Sequence, residues 1–383
     1  MRILVTGATG YVGSRLVAAL LAGKHEVLAA SRNPDLLKKF GWCDDVTPIK
    51  LDAADPAKTS AALADATAAS GPIDVLYYLV HGIGQPGFRE ADNAAAANVA
   101  AAARDAGVRR IVYLGGFLPD ADTLSEHLAS RAEVAEALTV AGGPDLVWLG
   151  AAMIIGAGST SFEMLRYVGD RFTLMPTPGW MRNPVDPISI RDVLHYLVAS
   201  ADPERVPAGD YDISGPETTS YAELLERYAR VSGRWHTALP APGMDTSIAS
   251  LLTALALPVP AGLARELVES MHHPMMAAAS DLRHRVPDPP GGLLGIDHAI
   301  VLALSGHDNQ PVNALPTPQQ LADTDPAWAG GDAFRIRRLA NSVAPPVVRP
   351  ALWLSDLVPG PVAAVVRTGL DVLFALAPKT PSR

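Results

Sequence analysis

Gly7, Gly10 and Gly13 are evenly spaced in LVTGATGYVG, directly after a short apolar run at residues 3–5 and directly before SRLVAALLAG, whose apolar positions recur at helical spacing. A strand that turns through three such glycines into a helix leaves few folds open. The turn has to be tight, a ligand has to approach the backbone closely, and the helix has to start against the strand. A pyrophosphate laid on the free amides of that helix N-terminus needs all three. The spacing predicts a dinucleotide held by Thr6, Gly7, Thr9, Gly10, Tyr11, Val12 and Gly13.

The same rhythm continues. HEVLAAS, VTPIKLD, IDVLYYLVHG, RRIVYLGG and PDLVWLGAAMIIG read as strands two to six, separated by helical segments that include 57–66, 89–106 and 124–141. Strands alternating with helices of this length predict an α/β fold, a Rossmann-type doubly wound parallel sheet covered on both faces. Beyond Gly156 the helices STSFEMLRYVGDR, SIRDVLHYLVAS and SYAELLERYARVSG and the strand GDYDISG predict a smaller α/β substrate lobe over the sheet's carboxyl edge. Residues 235–304 are mainly apolar and helix-like, with breaks at Pro258, Pro260 and Pro274. After residue 306 the composition shifts, with 11 of the chain's 33 prolines in the last 78 residues, which predicts a loosely structured tail or connector. The expected organisation is a nucleotide-binding core at 1–156, a substrate lobe at 157–305 from which some strands and helices return to the core, and a helical, proline-rich C-terminal extension at 306–383.

Charge and composition exclude several function classes. A net charge of -9 without a long basic run gives nucleic acid no electrostatic footing. One cysteine, Cys43, precludes an internal disulfide and suits a reducing cytoplasm. Strand-like residues begin at Arg2, so no secretory signal is expected. Near the far end, PGPVAAVVRTGLDVLFALAP is interrupted by Arg367 and Asp371 and falls short of the roughly 20 apolar residues that span a bilayer. It reads as an amphipathic helix docked on the protein, on a partner or on a membrane surface. His272 and His273 follow Glu269 by one helical turn, but Pro274 breaks the helix there and no further ligand follows, so no metal is expected. Neither a G-x-S-x-G elbow nor a Walker lysine is present, so esterase and phosphoryl-transfer chemistry lack their residues.

Cofactor choice is read after the second strand, in AASRNP. An acidic side chain there would take the ribose hydroxyls of NAD, and a basic one the 2'-phosphate of NADP. No acid stands at that place, whereas Ser31 offers a hydrogen bond and Arg32 a planar cation, which favours NADP and leaves NAD as the alternative. Asp52, in IKLDAAD, is placed either to reach the adenine edge or to cap the helix that starts near Pro56.

With TGATGYVG, YYLVHG, NVAAAARDAGVRRIVYLGG and PISIRDVLHYLV in place, residues 1–233 resemble the short-chain dehydrogenase/reductase superfamily in its atypical or extended branch. YLVH and SFEMLRY are most similar to the NmrA-related, YbjT-like bacterial NAD(P)H-binding proteins. DPAWAGG looks like the start of an extra C-terminal domain that some of them carry, although too little chain follows for a full copy. The resemblance implies a Ser or Thr after the fifth strand and a Tyr-x-x-x-Lys on the next helix, the tyrosine moving a proton and the lysine lowering its pKa. Gly115 and Gly116 stand where that hydroxyl belongs. In HLASRAEVAEAL, His127 takes the tyrosine's place, Ser130 keeps its own and Arg131 takes the lysine's. His127 and Arg131 share a helical face. Arg131 is therefore expected to hold the nicotinamide ribose or a phosphate, and His127 either to act as a neutral acid/base beside that cation or to be a packed or surface histidine. His81, at the carboxyl end of the fourth strand, faces the ligand crevice or is structural. Asn98, by the same resemblance, supports the active-site backbone.

Functions of different classes follow. One is an NADP-dependent oxidoreductase acting on an apolar small molecule, with residues 250–263 and 270–279 lining its pocket and Met164, Met175 and Met181 contributing to the pocket or to the core. Another is a non-catalytic NAD(P)H sensor or assembly subunit, since the fold alone does not guarantee chemistry. NDP-sugar epimerisation is weakened by the same departures from Ser, Tyr and Lys.

Overall fold

Alternate burial fixes the sheet. In β1 (Arg2–Val5), Ile3 and Val5 pack on one face and Leu4 on the other, and none of the three is exposed. β2 (Glu26–Ser31), β3 (Thr47–Lys50), β4 (Val75–Tyr78), β5 (Arg110–Gly116) and β6 (Asp145–Ala151) follow, and a seventh strand, Gly209–Asp212, closes the edge. Their order is Gly209–Asp212, β6, β5, β4, β1, β2, β3, with every neighbouring pair parallel. This is the doubly wound order, in which the direction of winding reverses beside β1 and opens a crevice at the carboxyl ends. The expected α/β, Rossmann-type sheet is thus present. The computed structural model describes residues 1–82, 84–117, 125–172, 174–234, 236–241, 243, 257–277, 282–306, 310–343, 362–363, 365–367 and 369.

Helices cover both faces. α1 (Tyr11–Ala22) lays Leu16, Val17 and Leu20 on the Ile3 face, where Val193 and Leu197 of a later helix, Ile190–Ala199, join them. α2 (Pro56–Ser70), α3 (Phe88–Asp105) and α4 (Glu126–Leu138) cover the Leu4 face through Leu63, Val99 and Leu138. α3 buries mainly alanines, which lets it lie close to its neighbours. A second core, centred on Phe162, Leu224 and Ile300, gathers the helices Thr160–Arg171, Tyr221–Ser232 and Ile296–Leu304 into the smaller lobe.

The C-terminal extension departs from expectation. Over residues 310–343 it is not loose: it is fixed to both cores by buried ion pairs. Arg15 of α1 donates to both carboxylate oxygens of Asp325, at 2.9 and 2.6 Å, and to the carbonyls of Pro318 and Gln320, both at 2.9 Å. Both partners are buried. Asp325 also accepts from the amide of Ala322 at 2.8 Å, and the Arg15 guanidinium lies 4.1 Å over the Tyr11 ring. Toward the other core, Glu163 accepts from the amides of Gly158 and Gly330 and from Arg166, while Arg171 donates twice to Asp332. The prolines that suggested a loose segment instead sit in tight turns, among them a 3-10 turn at Val312–Ala314 and a turn closed from the Gln320 amide to the Thr317 carbonyl, which leave the Pro318 and Gln320 carbonyls to Arg15. The helix expected near residues 361–378 lies almost wholly outside the described residues. No described helix is long and apolar enough to cross a membrane.

Removing one member of a buried pair strands the other charge. Asp325→Ala should lower unfolding free energy by about 3–5 kcal/mol, and Arg15→Met in the same chain should recover part of that loss. Urea denaturation of the three proteins checks this, and an unchanged midpoint for Asp325→Ala would show that the pair carries no weight.

Candidate functional site

The glycine turn is built as a cradle. Gly7 has φ +69°, and a Cβ there would meet the Leu79 carbonyl oxygen at 2.5 Å. A Cβ on Gly13 would stand 2.2 Å from the Gly7 carbonyl oxygen, so only glycine lets α1 start this close to β1. The α1 N-terminus has no side-chain cap and no acidic residue in its first turn, so its free amides and positive dipole end are available to an anion. Thr9 and Gly10 are exposed at the lip of the cradle. Thr6 instead points into the protein: its hydroxyl donates to the Tyr77 carbonyl at 2.9 Å and ties β1 to β4. Tyr11 likewise turns inward, with its hydroxyl buried toward Gly156, and Val12 packs on the core. The cradle fits a pyrophosphate.

Beyond β2, Arg32 is exposed and has no ion pair among the described residues. Ser31 differs from expectation, because its hydroxyl donates to the Asn33 carbonyl at 2.9 Å and accepts from the Asn33 amide, closing a local turn. Asp52 does not cap α2. That role falls to Asp55, which accepts from the Lys58 amide at 3.1 Å, and Asp52 stays half-buried at the end of β3. Asn98 donates to the Ala53 carbonyl at 2.9 Å, so it braces the loop after β3 and not the active-site backbone.

At the carboxyl edge, β4, β5 and β6 meet α4. His81 is exposed there, and the protein massed around it, together with Arg131, pushes its pKa down from the ordinary imidazole value. Arg131 is buried, yet its guanidinium forms no ion pair among the described residues. Asp92 is the acid whose field it feels, and that carboxylate is committed to the Gly82 amide at 3.0 Å while burial raises its pKa. Ser130 is buried and is not part of the cavity wall. The side chain of His127 lies outside the described residues, although its backbone is in α4.

Next to this edge is a cavity of about 240 Å³. Its inner end is Gly116, Leu128 and Ala151, at the ends of β5, α4 and β6. Six of the chain's nine methionines line it: Met153, Met164, Met175, Met181, Met271 and Met275. They arrive from several separate segments, so the three that the sequence left between pocket and core serve the wall of a pocket. Of the two apolar segments expected to line it, 270–279 contributes Ser270, Met271 and Met275. Residues 250–256 lie outside the described residues, and Leu257 and Val259 pack behind the wall against Met164 and Val268.

Residues 7–141 match the NAD(P)H-binding family. Three solved structures share the fold. A nucleoside-diphosphate-sugar epimerase from Staphylococcus aureus is 17% identical with TM-score 0.62, over 79% of this chain and 100% of that one. Triphenylmethane reductase of Citrobacter sp., complexed with NADP(H), is 20% identical with TM-score 0.58, over 79% and 100%. The Bordetella bronchiseptica enzyme WbmG, in complex with NAD and UDP, is 18% identical with TM-score 0.57, over 81% and 94%. At these identities the likeness is one of fold: an NAD(P)H-binding reductase- or epimerase-like architecture. No match to a curated protein sequence was found.

Within the matched residues the two glycines ending β5 differ sharply. A Cβ at Gly115 would lie 2.5 Å from Trp148 Nε1 and 3.0 Å from the Tyr113 ring, whereas at Gly116 the nearest atoms, on Leu128, Ala151 and Arg131, stand 3.5 to 4.0 Å away. Gly115 is a packing requirement. At Gly116, on the cavity wall, a Cβ would make only ordinary van der Waals contacts, a distinction the glycine spacing does not carry. Among the described residues no group of three His, Cys, Asp or Glu side chains could hold a metal ion.

Gly115→Ala should cost about 1–3 kcal/mol of stability through overpacking, while Gly116→Ala should fold with little loss and narrow the cavity. Thermal melts of both variants check the contrast, and equal destabilisation would contradict it. The depressed pKa of His81 keeps its imidazole neutral through the physiological range, and protonation waits for acid. An NMR titration of its ring protons should therefore be flat from about pH 8 to 6, and a midpoint near the ordinary value of about 6.5 would contradict the placement.

Proposed function

We propose that this chain is an NADP-dependent oxidoreductase that acts on a small apolar molecule bound in the methionine-lined cavity. The observation that carries the reading is the junction at Gly116, where the cavity's inner end, the carboxyl edges of β5 and β6, and the buried Arg131, which has no ion pair among the described residues, lie side by side. Bound NADPH supplies a hydride. Binding, orientation and electrostatics fall to the chain. Thr9, Gly10 and the α1 N-terminus hold the pyrophosphate, and Arg32, exposed and without an ion pair, takes the 2'-phosphate. Arg131 holds the nicotinamide ribose or offsets negative charge that develops on the substrate. The apolar wall excludes water from the reacting centre. His127 and the neutral His81 are the proton-handling candidates, and Ser130, one residue before Arg131, is the weaker third.

A sugar nucleotide is a poor occupant, because burying its hydroxyls against methionine and leucine leaves them without partners. The second reading, a non-catalytic NADPH sensor or assembly subunit, is favoured by Gly116 and Arg131 standing where the resemblance places a hydroxyl and a lysine.

Purified protein with NADPH and a panel of aldehydes, enones and quinones should consume the cofactor, followed by loss of nicotinamide absorbance. Tight NADPH binding without turnover would favour the sensor. Arg32→Ala should weaken NADPH by roughly 10- to 100-fold, the worth of a charge-assisted contact, and leave NADH nearly unchanged. Equal losses for the two nucleotides would defeat the NADP assignment.

A further inference from the structure

The polar groups on the cavity wall are not all accounted for. Ser270 is satisfied, donating to the Glu266 carbonyl at 2.9 Å and lying 3.1 Å from the Ser125 hydroxyl. Tyr221 is not. It opens the helix Tyr221–Ser232, is 9% exposed and lines the cavity, and its hydroxyl has no hydrogen-bond partner among the described residues. Trp180, on the segment that packs against the same helix, also lines the cavity, and its indole N–H is buried with no acceptor among the described residues. Native interiors hold few unpaired donors, because each gives up its water without a replacement. The Trp180 N–H is such a buried donor and the Tyr221 hydroxyl opens on the same cavity, and two unpartnered donors on one mainly apolar wall mark a place where an acceptor arrives from outside. Burial raises the Tyr221 phenol above its ordinary pKa, so its proton is present to be donated.

We infer that Tyr221 is the hydrogen-bond donor that selects the ligand of this cavity, and that the ligand is a small apolar ring system carrying a carbonyl-type oxygen. The inference rests on the cavity being the substrate site, as argued above, and it adds the polar group that the substrate must bear. At about 240 Å³ the cavity lies under the roughly 300–1,000 Å³ that hold drug-sized ligands, so one or two fused rings fill it. Methionine sulfur, soft and polarisable, suits the faces and edges of such rings. Trp180 supplies a second donor on the wall. A site built to bond an oxygen discriminates strongly against the analogue that lacks it, because the donors then stay unpaired.

The test uses the full chain saturated with NADP+, so that binding is measured without turnover, and a shape-matched pair of probes, 1-tetralone and tetralin, titrated by calorimetry. The wild-type chain should bind 1-tetralone at least roughly 10-fold more tightly than tetralin. Tyr221→Phe should erase most of that preference while leaving tetralin binding and thermal stability unchanged, and Trp180→Phe should reduce it by a smaller factor. Equal binding of the two probes to the wild-type chain, or an undiminished preference in Tyr221→Phe, would overturn the inference and leave the apolar site standing. Binding of neither probe would remove the cavity as substrate site and the inference with it.

Discussion

The Arg15–Asp325 pair is the joint on which the rest of the structure turns. Arg15 sits one turn into the helix whose N-terminus forms the phosphate cradle, and it is buried there with no carboxylate of its own unit to neutralise it. Among the described residues its ion pair is with Asp325, on a segment 310 residues away, beside weaker contacts to the Tyr11 and Ala157 carbonyls at 3.3 Å. Buried pairs seldom add much over a hydrophobic replacement, but half of such a pair is expensive, and the pair therefore fixes where the segment lies more than how tightly it holds. The same segment then reaches the second lobe through Gly330 and Asp332. One stretch of irregular backbone thus ties the glycine turn and α1 to the second lobe.

That relation matters because the cavity is shared. Its inner end belongs to strands and a helix of the nucleotide-binding domain, and its outer walls belong to the lobe. On the proposed function, a hydride acceptor in this cavity has to be held within van der Waals reach of its donor, and small errors in placement cost rate steeply. Flexible methionines tolerate varied occupants but position them poorly. The precision has to come from the frame, which is the sheet edge at Gly116 on one side and the anchored lobe on the other.

How much of this was legible follows the range of the interactions involved. The glycine turn, the alternation of strand and helix and the parallel sheet rest on local spacing and were readable directly. Asp55 rather than Asp52 as the cap, and Ser31 closing its own turn, are local as well, but they depend on single backbone angles that periodicity does not carry. Arg15 could be placed on a helix from its neighbours, yet nothing near it signals burial or names Asp325 as its partner. The methionines illustrate a different limit: spacing within each helix says which face is apolar, not whether that face meets another helix or a void. Only the convergence of several segments separates the two. Proline density misled for residues 310–343 because irregular backbone was equated with loose backbone, while the hydrogen bonds that order it come from side chains elsewhere.

The distance along the chain between Arg15 and Asp325, 310 residues, also has a temporal meaning. A ribosome adding about 5–20 residues per second needs roughly 15–60 s to travel between them. Throughout that interval the helix behind the phosphate cradle carries a guanidinium whose native counter-charge has not yet been made. Until Asp325 has emerged, that side chain is better placed in water than in the interior, because a buried charge without its partner is costly. Closure around Arg15 is therefore scheduled by the arrival of Asp325, 310 residues later.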